Sequence, residues 1–151
     1  DLRRPSLHKL FGLSNEQGLT SMVLDANAAA TPPLQQTLEP NLMLLSSGPL
    51  PPNAAELLGS RRMQEVITAL KGEADFLLLD SPPIIAVTDA AVLAPQVDGV
   101  LLVINAGHTR RDLARRAKTM LEKVGANILG VVLNNAQLER DYYKYYGQGE
   151  R

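Results

Sequence analysis

At 151 residues, with 45% hydrophobic and 21% charged side chains, the chain has the size and composition of one globular domain with a substantial core. A net charge of −1 speaks against general nucleic-acid binding, and the absence of cysteine excludes disulfides and thiolate metal sites. No apolar run approaches the ~18 residues that a membrane span needs.

The chain opens Asp1-Leu2-Arg3-Arg4-Pro5, an acid beside two arginines, which on its own reads as a solvated ion cluster. Residues 26–40, Ala-rich and then Thr-Pro-Pro, read as an irregular connection. An apolar run at 42–45 reads as a strand, and the loop 46–53, with three prolines and a glycine, as a rigid link. Asn53 with Glu56 forms a start signal for a helix over 54–58, and a second helix is expected over 62–70. A second apolar run at 76–79 ends in Asp80-Ser81-Pro82-Pro83; a short helix over 89–94 follows, stopped by Pro95.

Residues 100–104 and 128–133 are two further apolar runs, the last broken only by Gly130. Between them, Leu113, Ala117, Leu121 and Val124 repeat at helical spacing over 109–124, with Thr109 and Asp112 placed as a capping box and Gly125 where a left-handed residue ends a helix. Continuous apolar runs mark strands buried on both faces, and strands alternating with helices imply βαβ units. The expected fold class is therefore α/β, an open and mostly parallel sheet flanked by helices. Residues 137–151 carry no apolar periodicity and read as a flexible tail.

Three of these segments carry chemistry. An apolar strand ending in Asp80 puts a carboxylate at the C-terminal edge of a parallel sheet, where open α/β folds bind ligands and where P-loop enzymes hold Mg²⁺. Asn134 and Asn135 close the last run; such asparagines are either turn residues or a paired donor and acceptor for a purine edge. All four tyrosines, Tyr142, Tyr143, Tyr145 and Tyr146, lie within five positions of the tail. A core would scatter them, a stacking surface for single strands would want more cations, and repeated modification suits the cluster better.

These features, in this order, resemble the bacterial tyrosine autokinases of capsule and exopolysaccharide synthesis, members of the deviant Walker P-loop ATPases. The likeness runs through Asp1–Pro5, Leu7-His8-Lys9-Leu10-Phe11-Gly12, Gly18-Leu19-Thr20, the Gly48-Pro49-Leu50-Pro51-Pro52-Asn53 segment with Glu56-Leu57-Leu58, Asp80–Pro83, Thr88-Asp89-Ala90, Val97-Asp98-Gly99-Val100 and the tyrosine cluster. The resemblance implies an ATP and Mg²⁺ site. In it Asp80 matches the Walker B aspartate, Asp1 an acidic residue of the family's extra Walker motif near Mg²⁺, and Asn134 the position that reads adenine. It implies autophosphorylation of Tyr142, Tyr143, Tyr145 and Tyr146 in trans within a ring of protomers, beside a membrane-embedded activator on the cytoplasmic side of the inner membrane, with no nucleic-acid partner. A partition- or septum-positioning ATPase of the same superfamily, which has no use for four clustered tyrosines, or a non-catalytic scaffold of the same fold, which the absent phosphate loop would favour, is the alternative.

The departure from the family pattern is large. No Gly-x-x-x-x-Gly-Lys-Ser/Thr loop occurs, and Lys71-Gly72 runs in the wrong order. Residues 1–136 are thus expected to be the C-terminal part of a P-loop kinase domain without its first βα unit, and inactive alone, with 137–151 as tail.

Overall fold

The computed structural model describes residues 1–25 and 31–136; the tail with its four tyrosines, and residues 26–30 of the irregular connection, lie outside them. Among the described residues the elements run α1 (Leu7–Phe11), α2 (Leu19–Leu24), β1 (Gln35–Gln36), β2 (Met43–Leu44), α3 (Ala54–Leu58), α4 (Arg61–Leu70), α5 (Asp89–Leu93) with a 3₁₀ turn at Ala94–Gln96, β3 (Val100–Asn105), α6 (Arg111–Lys123) and β4 (Ile128–Asn134).

Helix α3 starts as its sequence signal predicts. Asn53 accepts a hydrogen bond from the Glu56 backbone N–H at 3.4 Å and donates its own amide to the Glu56 carboxylate at 3.0 Å. Ser60 caps α4 in the same manner, accepting from Met63 N–H at 3.1 Å. Helix α4 then buries Met63, Val66, Ile67 and Leu70, all on one face at helical spacing. That stripe supports two adjoining clusters: Leu2, Leu57, Leu58 and Leu93 gather around Met63 and Ile67, while Met22 of α2 joins Val66 and Leu70. Each such side chain contributes roughly 1.5–3 kcal/mol by leaving water. Neither α1 nor α2 follows from periodicity, since each is under two turns long. Gly18 ahead of α2 packs directly against the Ser46 carbonyl, where a Cβ would collide.

The second layer is a β-α-β unit. Strands β3 and β4 run parallel, with Leu102 opposite Val131 and Asn105 opposite Asn134, and α6 forms the crossover. Ile84, Ala94, Ala117 and Leu121 make its core, with Val100, Leu102 and Ile128 packed against them. Gly125, at φ +72°, ends α6 in a Schellman motif: Gly125 N–H bonds to Glu122 O at 3.0 Å, and Ala126 N–H to Leu121 O at 3.0 Å.

Four expectations need correction. The α6 capping box does not form: Thr109 Oγ1 accepts instead from Asn105 N–H at 3.2 Å, and Asp112 pairs with Arg110 at 3.0 Å. The hydroxyl closes the turn after β3, a local competition that Ser and Thr often win. Residues 42–45 supply only the two-residue β2, antiparallel to β1. Residues 76–79 have strand-like alternation, with Leu77 and Leu79 packed inward and Phe76 and Leu78 over 80% exposed, but no ladder partner among the described residues. Finally, the described residues cover β3 and β4 on one face only. Leu101, Val103, Leu129, Val131 and Leu133 remain exposed, because α6, the α5 region and Ile84 all lie on the other side.

Candidate functional site

Asp80 sits at the end of the 76–79 segment, whose inward leucines anchor it to the α3–α4 core. Its backbone carbonyl accepts from the Asp1 backbone nitrogen at 2.8 Å, and its Oδ2 lies 3.4 Å from the same nitrogen. The opening residues therefore run beside the Asp80 turn, and two residues 79 positions apart become neighbours. Asp1 turns its own Oδ1 back to the amides of Arg3 and Arg4, at 2.8 and 3.0 Å. These local bonds hold one oxygen of Asp1 in place. Asp80 keeps about half of its side chain open to solvent.

Arg3 does not stand in the solvated cluster that its neighbours in sequence suggest. Its Nε donates to both oxygens of Asp89, at 3.1 and 2.9 Å, and its Nη2 donates to Oδ1 at 2.7 Å. Asp89 is wholly buried in the first turn of α5, where the helix dipole also favours a negative charge. A carboxylate so enclosed needs a paired cation, and Arg3 supplies one through its planar fork. The guanidinium is pushed above its ordinary range by its hydrogen bond to Asp89, reinforced by the charge attraction and opposed by burial. No local pattern announces this pair, which spans 86 positions.

Asp1, Asp80 and Asp89 line one groove of about 900 Å³, with Leu19, Met63 and Leu77 among its apolar walls. Asn134 is not on that groove. It ends β4, where its Oδ1 accepts from Asn135 N–H at 3.0 Å and its carbonyl from Ala106 N–H at 2.8 Å. Asn135, at φ +57°, donates its side-chain amide to Asn105 Oδ1 at 3.2 Å. The structure thus brings Asp1 and Asp80 together and leaves Asn134 at the separate C-terminal edge of β3 and β4. The four tyrosines expected as acceptors fall outside the described residues.

Among the described residues no three acidic, histidine or cysteine side chains converge on a metal position. The donor set at the groove still suits Mg²⁺, which is commonly held by one or two carboxylates and completes its shell with water and phosphate oxygens. Asp1 and Asp80, acid-bearing and facing a shared groove, are such a pair.

No protein-family model matches the chain. Its sequence is 40% identical over 148 residues to the tyrosine-protein kinase YwqD of Bacillus subtilis, covering 97% of this chain and 62% of YwqD. It is 37% identical over 131 residues to the tyrosine-protein kinase CpsD of Streptococcus agalactiae, covering 87% and 57%. The kinase domain of VpsO superposes with a TM-score of 0.83 at 33% identity, over 91% of this chain and 68% of that one. The kinase domain of the Escherichia coli tyrosine kinase ETK gives 0.78 at 32%, over 91% and 55%. The chain spans less than two thirds of the length of YwqD and CpsD. With the α/β fold, the paired acids and these likenesses together, the chain belongs to the family of bacterial tyrosine-protein kinases.

Proposed function

We propose that the protein containing this chain is an ATP-dependent tyrosine autokinase that regulates the chain length and export of a capsular or extracellular polysaccharide. The observation that carries the reading is the juxtaposition of Asp1 and Asp80 on one groove wall. In it Asp80 and Asp1 hold Mg²⁺ beside the nucleotide's phosphates. Bound there, Mg²⁺ supplies charge neutralisation for the nucleotide's phosphates. Asn134 reads the adenine edge. The transfer makes one oxygen–phosphorus bond, from a tyrosine phenol to the terminal phosphate; it breaks the bond to ADP and releases the phenol proton.

The acceptors are Tyr142, Tyr143, Tyr145 and Tyr146 of a neighbouring protomer, in a ring-like assembly. Clustering supports this, since one acceptor suffices for a simple mark. No helix among the described residues is long and apolar enough to cross a membrane. We place the domain on the cytoplasmic side of the inner membrane, beside a membrane-embedded activator.

The test is Asp80→Asn in the intact kinase. It removes charge at the metal without removing volume, so the fold and melting temperature stay unchanged. Autophosphorylation falls by more than the roughly 10–100-fold that loss of a supporting group costs at a metal site. Wild-type phosphate incorporation in that variant rejects the assignment.

A further inference from the structure

Helix α6 and its N-cap expose six cations, Arg110, Arg111, Arg115, Arg116, Lys118 and Lys123, in a chain whose net charge is −1. Among the described residues two of them have an answering carboxylate: Arg110 pairs with Asp112, and Lys118 with Glu122. Among the described residues Arg111, Arg115, Arg116 and Lys123 take part in no ion pair. Elsewhere among the described residues, Arg3, Arg61, Arg62 and Lys71 all face acids, which leaves Arg4 and Lys9 as the other cations there without an ion pair. The unanswered positive charge is therefore concentrated on one helix, away from the groove that holds Asp1 and Asp80.

The topology puts the root of the tail beside this helix. β4 ends at Asn134 next to Asn105 of β3, and Asn135 donates to the Asn105 side chain at 3.2 Å. The Asn105 carbonyl also accepts the backbone N–H groups of His108 and Thr109, at 3.2 and 2.8 Å, in the turn that leads straight into α6. Residue 136 therefore leaves the fold close to the first turn of α6. The tyrosines follow six to ten residues later. At ~3.3 Å per residue that is a reach of about 20–33 Å, and the 13 residues of α6 span only about 20 Å.

We infer that the tail, once phosphorylated, docks in cis on the arginine face of its own α6; this rests on the tail being the phosphate acceptor. Charge decides when docking happens. The unmodified tail carries Glu139, Asp141 and Glu150 against Arg140, Lys144 and Arg151, a balanced set with nothing to draw it to a basic helix. Each phosphotyrosine adds about −1.5 to −2 and three acceptor oxygens. Arg111, Arg115 and Arg116 offer planar forks that meet phosphate with two parallel hydrogen bonds, which lysine cannot do. Docking in cis would withdraw a spent tail from a neighbour's groove and hide it from phosphatases.

The experiment uses the 151-residue chain with phosphotyrosine installed at 142, 143, 145 and 146 by peptide ligation, so no kinase activity of its own is needed. The rate at which a broad tyrosine phosphatase strips the phosphates is compared with the rate for the free phosphopeptide 137–151. The expected result is about tenfold protection in the chain, abolished in Arg111→Gln/Arg115→Gln/Arg116→Gln and in about 0.5 M salt. Glutamine keeps helix propensity at these exposed positions, and an unchanged melting curve controls for folding. Equal rates for chain, variant and peptide overturn the inference, even if Asp80→Asn supports the kinase. Protection that rises with protein concentration assigns the face to another copy's tail and overturns the cis assignment. An unprotected tail, together with arginine-dependent sedimentation on phosphatidylglycerol vesicles, makes the face a lipid surface and also overturns it.

Discussion

Residues 54–93 and residues 100–134 bury their apolar side chains in opposite styles. In the first stretch α3, α4 and α5 close around Leu57, Leu58, Met63, Ile67 and Leu93, each under a tenth exposed, with Leu77 and Leu79 sealing one side. In the second, α6 covers one face of β3 and β4 and leaves the alternate residues, Leu101, Val103, Leu129 and Val131, more than half exposed. A helical stripe states which side it hides, because its polar face is written in the same residues. A continuous apolar strand states only that both sides want cover, and the described residues provide it on one side. The helical region should therefore be sensitive to truncation, and the open sheet face tolerant of polarity.

The largest expected effect tests the closed region. Met63 is fully buried and touches the cluster that also holds the opening Leu2. Met63→Ala removes its contacts and leaves a cavity, at a cost of about 2–5 kcal/mol. Denaturant unfolding monitored by circular dichroism measures it. A loss below about 1 kcal/mol would mean that the α3–α4 region collapses around the gap and is no better packed than the sheet.

A second test concerns the polar tie between the closed region and the chain opening. Arg3→Ala strands the buried Asp89 carboxylate, whereas Asp89→Asn releases a guanidinium that is 41% exposed and can turn to water. The melting temperature should fall further for Arg3→Ala than for Asp89→Asn, with the double variant no worse than Arg3→Ala alone. Equal losses would show that Arg3 stabilises by packing rather than by charge.

What the sequence discloses follows the same division by range. Asn53 with Glu56, and Gly125 after Val124, settle their helix ends within four residues, and both ends are legible in the amino-acid order itself. Thr109 has the right spacing for a cap, but an equally close alternative, Asn105 N–H, takes its hydroxyl; spacing cannot rank two partners at similar reach. The Arg3–Asp89 pair and the contact of Asp1 with Asp80 join residues 86 and 79 positions apart, so they exist only once the core has closed. Of the candidate site, Asp80 follows from a strand ending in an acid, but its pairing with Asp1 follows from family likeness alone. The role given to Asn134 also rests on family likeness alone, and the residue lies at the end of β4, outside the lining of the groove.

The smallest expected effect bears on the open face. Val103 is 60% exposed and stands between Leu102 and Ile104 of β3, which turn to the covered side. Val103→Thr keeps the β-branched shape and strand preference while adding a hydroxyl that water can satisfy, so stability of the 151-residue chain should move by no more than about 0.5 kcal/mol. Leu121→Ser on the covered side, at 2% exposure, puts a hydroxyl and a cavity where neither is tolerated and should cost several-fold more. The pair of variants measures how different the two faces are, not merely how stable the unit is. If Val103→Thr instead costs more than about 1 kcal/mol, the exposed face is covered in solution, and a melting temperature that rises with protein concentration then identifies a second copy as the cover. A concentration-independent melt with a small loss leaves β3 and β4 one-sided, with the continuous apolar runs wanting a cover that the described residues do not supply.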